Sequence, residues 1–456
     1  MNFLVSDILA ARCKLNQQEQ LDATTQAFRP NPKKTVSERR QFDLGLGTLS
    51  DIDTYQKYVL LFNLENWLTQ LEGVTFPTQV MELTREDGRA LKQCHDHIQQ
   101  QQEESNADVE TFSALRIDLE TCMQSIDRDN ADGCFVKTSC RSAKDYADLD
   151  QLRSVFKQTL ACLDVGTHAN PASESENTKM IAMSYASMEM LRMRSASKVL
   201  QNFIQSERIW HDMNLALAQS NSWNESIVVR RWINIEPDME FRCFICGGTL
   251  TAVSQYRHLV YFPRLHKSEE YLKSVLTYFF ENTLKTRLQG LFPQDDYIVD
   301  LAVELHGGAN QHACLSEYPL DDGSVKTIWT VEVNPFYETT DACMFSWSRD
   351  AALLMHDKSN SDNDTKGLND DNDNDGGGEE AEQEEEEEED VCGTVAPSCD
   401  AEGGQSGATA WRIRRSPARG CSSLIYGAWK AIIDETKQER DCEINNIKEA
   451  AKISLL

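Results

Sequence analysis

Thr330-Val331-Glu332-Val333-Asn334-Pro335-Phe336 reads as the end of a β-strand that carries two oxygen-bearing side chains. A strand has a side-chain period of two, so Glu332 and Asn334 project from one face while Val331 and Val333 turn toward the core. A carboxylate beside an amide suits a hard cation such as Mg²⁺, an ion that shares itself with substrate phosphates. Pro335 stops the strand just past the pair. Read alone, the pair fits an edge strand with two solvated polar residues equally well. Asp300 adds weight to the metal reading. It lies in a second strand expected to begin at Tyr297, and if that strand pairs with residues 328–334, Asp300, Glu332 and Asn334 form a three-oxygen Mg²⁺ site.

A phosphate ligand also needs cations. Lys137 ends the strand-like run Cys134-Phe135-Val136-Lys137, where a lysine can act as a point charge or simply as a snorkelling surface residue. Arg141 and Lys144 in the following loop add positive charge. Arg242 sits inside the apolar run Phe241-Arg242-Cys243-Phe244, so on a buried face it must find a partner or a ligand. Cys243 and Cys246 have CxxC spacing, but no second ligand pair accompanies them, and plain buried thiols are the expectation. The chain has no Walker A loop, no GxGxxG and no GxSxG.

The rest of the chain frames these residues. It has 456 residues, 40% hydrophobic, with a formal net charge of -29. Of that, -15 falls between Asp362 and Asp390, leaving -14 elsewhere. Such acidity disfavours direct nucleic-acid binding, which relies on basic phosphate contacts. No apolar stretch is long enough for a membrane span, and the N-terminus lacks a basic region before its short apolar run. The 14 cysteines show no framework and read as reduced cytoplasmic thiols. Residues 1–52 are expected to be a flexible leader. Residues 53–225 read as a helical subdomain that includes the Cys134 strand and a long helical region over Met183–Ala218. Residues 226–355 hold strands over 227–232, 240–245 and 249–254, the last two joined by the hairpin signal Cys246-Gly247-Gly248, then a helix over Tyr271–Leu288 and the two metal strands. Residues 356–407 read as a disordered acidic insertion and 408–456 as a partly helical end. The order of elements indicates an α+β fold.

Two stretches resemble the cell division cycle protein 123 family. One is Val229-Arg230-Arg231-Trp232, then Met239-Glu240-Phe241-Arg242-Cys243-Phe244, ending in Val253-Ser254-Gln255. The other is Asn334-Pro335-Phe336, followed by Thr340-Asp341 and Phe345-Ser346-Trp347. Weaker matches are Phe135-Val136-Lys137 and Phe203-Ile204-Gln205-Ser206. The resemblance implies an ATP-grasp fold of two subdomains with the nucleotide between them. It implies that Lys137 holds the phosphates of ATP, and the charge of Arg141 and Lys144 in the adjoining loop adds them to the expected ATP-binding residues. Val229, Arg230, Arg231 and Trp232 would form the hinge that meets adenine. Arg242 would contact phosphate or the metal carboxylates, and Asp300, Glu332 and Asn334 would hold Mg²⁺. Members of the family bind the gamma subunit of eukaryotic translation initiation factor 2 and promote its assembly. This chain departs from the family pattern in Glu332, where aspartate is usual, and in Tyr256, where arginine usually follows serine–glutamine. Ser139-Cys140-Arg141 lacks the family's asparagine–tryptophan–serine, and the loop over 304–326 is long.

The expectation is therefore an ATP- and Mg²⁺-binding assembly chaperone in the cytoplasm, with no residue assigned a catalytic role. The alternatives are an ATP-grasp ligase that activates a carboxylate as an acylphosphate, and a scaffold that no longer holds nucleotide.

Overall fold

The computed structural model describes residues 58–99, 106–128, 132–139, 141–165, 176–218, 223, 225–306, 319–355, 409–416 and 432. The leader, the acidic insertion and, apart from Ile432, the helix expected over 423–447 lie outside the described residues.

The elements form two sheets in a mixed α+β arrangement. The first sheet has four antiparallel strands: β1 (Thr78–Glu82), β2 (Cys134–Thr138), β3 (Arg192–Met193) and β4 (Ser226–Arg231), in the order β1-β4-β2-β3. Of the helices α1 (Leu64–Trp67), α2 (Arg85–Gln99), α3 (Asn106–Ile126), α4 (Leu149–Val165), α5 (Glu176–Glu189), α6 (Ala196–Gln205) and α7 (Glu207–Ala218), α2, α3, α6 and α7 share an apolar core with this sheet, while α1, α4 and α5 contribute to the core of the second. The second sheet contains β5 (Glu240–Cys246), β6 (Thr249–Gln255), β7 (Tyr297–Leu305), β8 (Val325–Pro335) and β9 (Ala410–Arg412), in the order β8-β7-β5-β6-β9. Its pairings are antiparallel except β6 with β9.

The long helical region read over Met183–Ala218 is three helices with a short strand among them. Ser195 ends the interruption as an N-cap, accepting from the Lys198 amide, and Ser206 separates α6 from α7. Serine competes with helix interiors by bonding local backbone, which is why such positions cap rather than continue a helix. The helix expected over Tyr271–Leu288 is present from Glu269, with a π-turn over Phe280–Leu284. The loop over 304–326 yields to longer strands at both ends, and residues 307–318 lie outside the described residues.

Alternation along the second sheet separates its faces. Phe241, Cys243, Ile245, Val253, Val299, Leu301 and Val333 point into the main apolar core together with Leu272, Leu276 and Phe280 of the covering helices. Near one end of the opposite face, Phe244, Ile298, Phe336 and Phe345 pack together. Trp347 closes that cluster, 5.2 Å from the Phe336 ring and 6.0 Å from Phe244. Its indole N–H donates to the Thr340 carbonyl at 2.8 Å. The Asn-Pro-Phe and Phe-Ser-Trp motifs thus fold onto one another and hold the chain after β8 against the sheet.

The two sheets are tied at Thr75 and Thr330, which form an isolated parallel bridge. Thr75 Oγ1 donates to the Thr330 carbonyl at 2.8 Å. Arg230, on inner strand β4, completes the tie. Its guanidinium is fully buried and donates to Thr75 Oγ1 at 2.6 Å, to Thr78 Oγ1 at 3.2 Å and to the Val331 carbonyl, with Phe76 stacked 4.6 Å from it. Val331 is the extra residue of a bulge, since Asp300 faces Glu332 while Leu301 faces Thr330.

Candidate functional site

Ladder register builds the site. Ser254, Arg242, Asp300 and Glu332 are direct cross-strand partners on β6, β5, β7 and β8, so they form one row on one face of the sheet. Asn334 shares the face of Glu332, two residues on. Asp300 and Arg242 are buried, and Glu332 and Asn334 are half-buried.

Arg242 grips Asp300 with two parallel bonds of 2.8 Å, Nε to Oδ1 and Nη2 to Oδ2. This fork-to-fork geometry is the strong form of the pair. Asn334 donates to Asp300 Oδ2 at 3.2 Å. Burial disfavours a charged guanidinium, but the Asp300 carboxylate outweighs it and holds Arg242 well above its ordinary pKa. The third Arg242 nitrogen donates to the Asp341 carbonyl at 2.6 Å.

Lys137 comes from the other sheet. Its stem is buried at the end of β2, and its ammonium forms an ion pair with Glu332 Oε1. Burial alone would raise the Glu332 carboxyl. The charge and hydrogen bond of Lys137 reverse that and hold it at about 2. Lysine on β2 and carboxylate on β8 therefore face each other across the gap between the sheets. Lys144 is nearby and exposed, donating to the Tyr256 hydroxyl at 3.2 Å. The Tyr256 ring lies 5.0 Å from the Arg242 guanidinium and 5.9 Å from the Lys144 ammonium. Cation–π contact with both makes Tyr256 the bridge between the two cations. The loop carrying Lys144 is anchored by Asp145, which accepts from Ser206 Oγ at 2.6 Å and caps α7 through the Arg208 amide at 3.1 Å.

Three cations (Lys137, Lys144 and Arg242) thus gather with Asp300 and Glu332 in a chain of strongly negative charge. Arg141 is turned elsewhere. It is paired with Asp212 on α7, its Nε 2.9 Å from each carboxylate oxygen. Val229 and Arg230 lie on an inner strand with ladder partners on both sides, and the Arg230 guanidinium is used up inside the protein. Arg231 is exposed and 3.6 Å from Asp132. Trp232 is the first residue past the strand, half-buried, with the Arg192 guanidinium 5.7 Å from its ring. Cys243 is a free thiol in the core, its pKa pushed up by burial.

Two features of the site escape sequence reasoning. Tyr256 was visible only as a departure from a family pattern, with nothing in its neighbours to show that it would underlie two cations. A second group of acids gathers beside Arg141. Glu65 accepts from Ser139 Oγ, Ser139 Oγ in turn accepts from the Ser226 amide at 2.8 Å, and Glu225 is buried next to them. Burial pushes the Glu225 carboxyl up to about 8, and the charges of Asp212 and Glu65 add to it. These acids are far apart in sequence, and no local signal joins them.

Comparison with known proteins places the chain. The D123 family model matches residues 67–394. A translation initiation factor eIF2 assembly protein of Xenopus laevis is 28% identical over 141 residues, 30% of this chain and 35% of that protein. A cell division cycle protein 123 of Phaeosphaeria nodorum is 32% identical over 121 residues, 26% of each. The matched region thus spans about a third or less of the length of these curated relatives. Among solved structures, Cdc123 from Schizosaccharomyces pombe aligns with a TM-score of 0.40 at 19% identity, covering 65% of this chain and 92% of that one. No helix of the described residues is long and apolar enough to cross a membrane.

Proposed function

The chain belongs to the D123 family, that of the cell division cycle protein 123, and from that premise we propose that it is an ATP- and Mg²⁺-binding assembly factor for eukaryotic translation initiation factor 2 that acts on the gamma subunit. The names of the relatives support the assembly role. The nucleotide half rests on one observation: Lys137 from the first sheet meets Glu332 of the second, beside the Arg242–Asp300–Asn334 group. In this reading the two sheets are the halves of an ATP-grasp fold, and the acidic segment over 356–407 is an insertion into the second.

The donor set fits the ion. Asp300, Glu332 and Asn334 offer carboxylate and amide oxygens and no softer atom, which is the preference of magnesium. Bound there, magnesium would neutralise phosphate oxygens and orient the triphosphate. Lys137, Lys144 and Arg242 are the residues that would meet the phosphates. Lys137 and Arg242 would then exchange a carboxylate partner for phosphate oxygens, which accept the same charge-assisted hydrogen bonds. The backbone groups of Val229 and Arg230 are committed to their ladders, so the adenine contact falls to Trp232 and the segment after it.

Isothermal titration of ATP with magnesium into the full chain tests this. Binding to wild type that is abolished in Asp300→Ala/Asn334→Ala is the expected result. Absence of binding to correctly folded wild type, or equal binding to both proteins, would overturn the nucleotide half.

A further inference from the structure

We propose that His258, Asp341 and Cys343 form a second cation site, separate from the oxygen site above, that takes a thiophilic divalent ion of the zinc class. One ligand atom of each residue, an imidazole nitrogen, a carboxylate oxygen and a thiol sulfur, lies within 4.8 Å of the other two. In tetrahedral zinc the ligand atoms stand about 3.5 Å apart, given bond lengths of about 2.0–2.3 Å.

Both segments that carry the ligands are fixed. The His258 amide donates to the Tyr256 carbonyl at 2.9 Å, and its own carbonyl accepts from Arg414 Nε at 2.6 Å. Gln255 holds the same loop through the carbonyls of Arg257 at 2.7 Å and Val260 at 2.6 Å. On the other side, Arg242 holds the Asp341 carbonyl and the Met344 amide donates to Ser254 Oγ at 3.1 Å. Between those two anchors the Cys343 amide donates to Asp341 Oδ1 at 2.7 Å. Cys343 adopts φ +56, in the left-handed region that a cysteine rarely occupies. Strain of that kind persists where the surroundings over-determine it, and it concentrates at functional sites.

The donor chemistry separates this site from the first. A nitrogen–oxygen–sulfur set is a poor home for magnesium and a good one for zinc. The thiolate and carboxylate balance the charge of the ion. Of the two nearby guanidiniums, Arg242 is already paired with Asp300 and Arg414 is bonded to a carbonyl. Asp341 is exposed and the other two are half-buried, and three protein ligands leave the fourth tetrahedral position for water or a further ligand. Three protein ligands with one open position is the arrangement of zinc sites that also bind or activate a further ligand. The proposal stands on these three residues and does not depend on ATP binding.

Cobalt(II) is the probe, added to the full chain under reducing conditions after chelator treatment. A thiolate-to-cobalt charge-transfer band reaching its plateau at one equivalent, and removed by zinc, is expected. Cys343→Ser should abolish the band. His258→Gln should weaken binding at least about tenfold, since even lost outer contacts cost that much in metal affinity. Glu332→Gln, which alters only the oxygen site, should leave the band intact. Circular dichroism checks each fold, and His258→Gln decides if Cys343→Ser does not fold. Absence of the band in wild type, or a band undiminished in both Cys343→Ser and His258→Gln, would overturn the proposal.

Discussion

Replacing Glu225 with glutamine should stabilise the protein progressively as pH rises from about 4.5 to about 8 and do little below that range. Glu225 is 6% exposed, and its Oε2 has no hydrogen-bond partner among the described residues. Burial first, then the neighbouring charges of Asp212 and Glu65, raise its carboxyl from 4.5 to about 8; Arg141 opposes them and is outweighed. A folded pKa above the unfolded one means that the fold binds this proton more tightly than the open chain does. Its contribution to stability is therefore complete below about 4.5 and is lost as pH rises through about 8. At about 1.4 kcal/mol per pKa unit, the interval from 4.5 to about 8 sets a ceiling of about 5 kcal/mol. Relaxation and water entry around the ionised group reduce this, and about 2 kcal/mol is the expected loss. Glutamine has nearly the shape of the protonated acid and does not ionise. Urea unfolding of wild type and Glu225→Gln should give midpoints that are close near pH 4.5, separate steadily between pH 4.5 and about 8, and differ most by pH 9, with the variant the more stable. Thiols and histidines that titrate over the same range are common to both proteins and cancel in the difference. A difference that stays flat from pH 6 to pH 9 would refute the reasoning.

Arg242→Met should be among the most damaging single changes, because it strands the Asp300 carboxylate in the interior at a cost of about 3–5 kcal/mol. Chemical denaturation should show that loss, and the double variant Arg242→Met/Asp300→Asn should recover much of it. Glu332→Gln should destabilise by about 1–2 kcal/mol at pH 7, since the half-buried carboxylate pairs with buried Lys137. The Glu332 carboxyl is held at about 2, below its ordinary 4.5, so the stability it supplies is full above about 4.5 and fades as pH falls toward 2. Unfolding curves for wild type and Glu332→Gln should accordingly converge in acid.

The parts of the fold that were legible in the sequence are those set by local periodicity and turn chemistry. The strands at 226–231, 240–246 and 249–255 follow from apolar runs and a glycine hairpin; the pairing of the last two follows from chain proximity, whereas the first pairs with distant β1 and β2 in the other sheet. Asp300, Glu332 and Asn334 could be placed on one face because a strand has only two faces, so the face-to-face arrangement needed only the pairing of β7 with β8. The bulge at Val331 could not be read, because it answers to the Arg230 guanidinium arriving from another sheet. Strand β1 was not visible either: its Thr78-Gln79-Val80-Met81-Glu82 has little hydrophobic pattern and is ordered by β4 alongside it. Helix α4 over Leu149–Val165 was missed because its apolar residues Leu152, Phe156, Leu160 and Leu163 are diluted by polar neighbours. Among the basic residues, sequence could name which ones lie near the site but not which were already engaged. Arg141 answers Asp212 and Arg230 answers backbone carbonyls and threonines, and both partners come from distant segments.

Capture of purified gamma subunit of initiation factor 2 by the full chain, with and without ATP and magnesium, probes the assembly role and the nucleotide site together. The expected result is capture by wild type that is strengthened by Mg–ATP and that falls by about tenfold or more in Asp300→Ala/Asn334→Ala, a coupling of ordinary size. No capture by folded wild type, or capture that neither the nucleotide nor the double substitution alters, would contradict it.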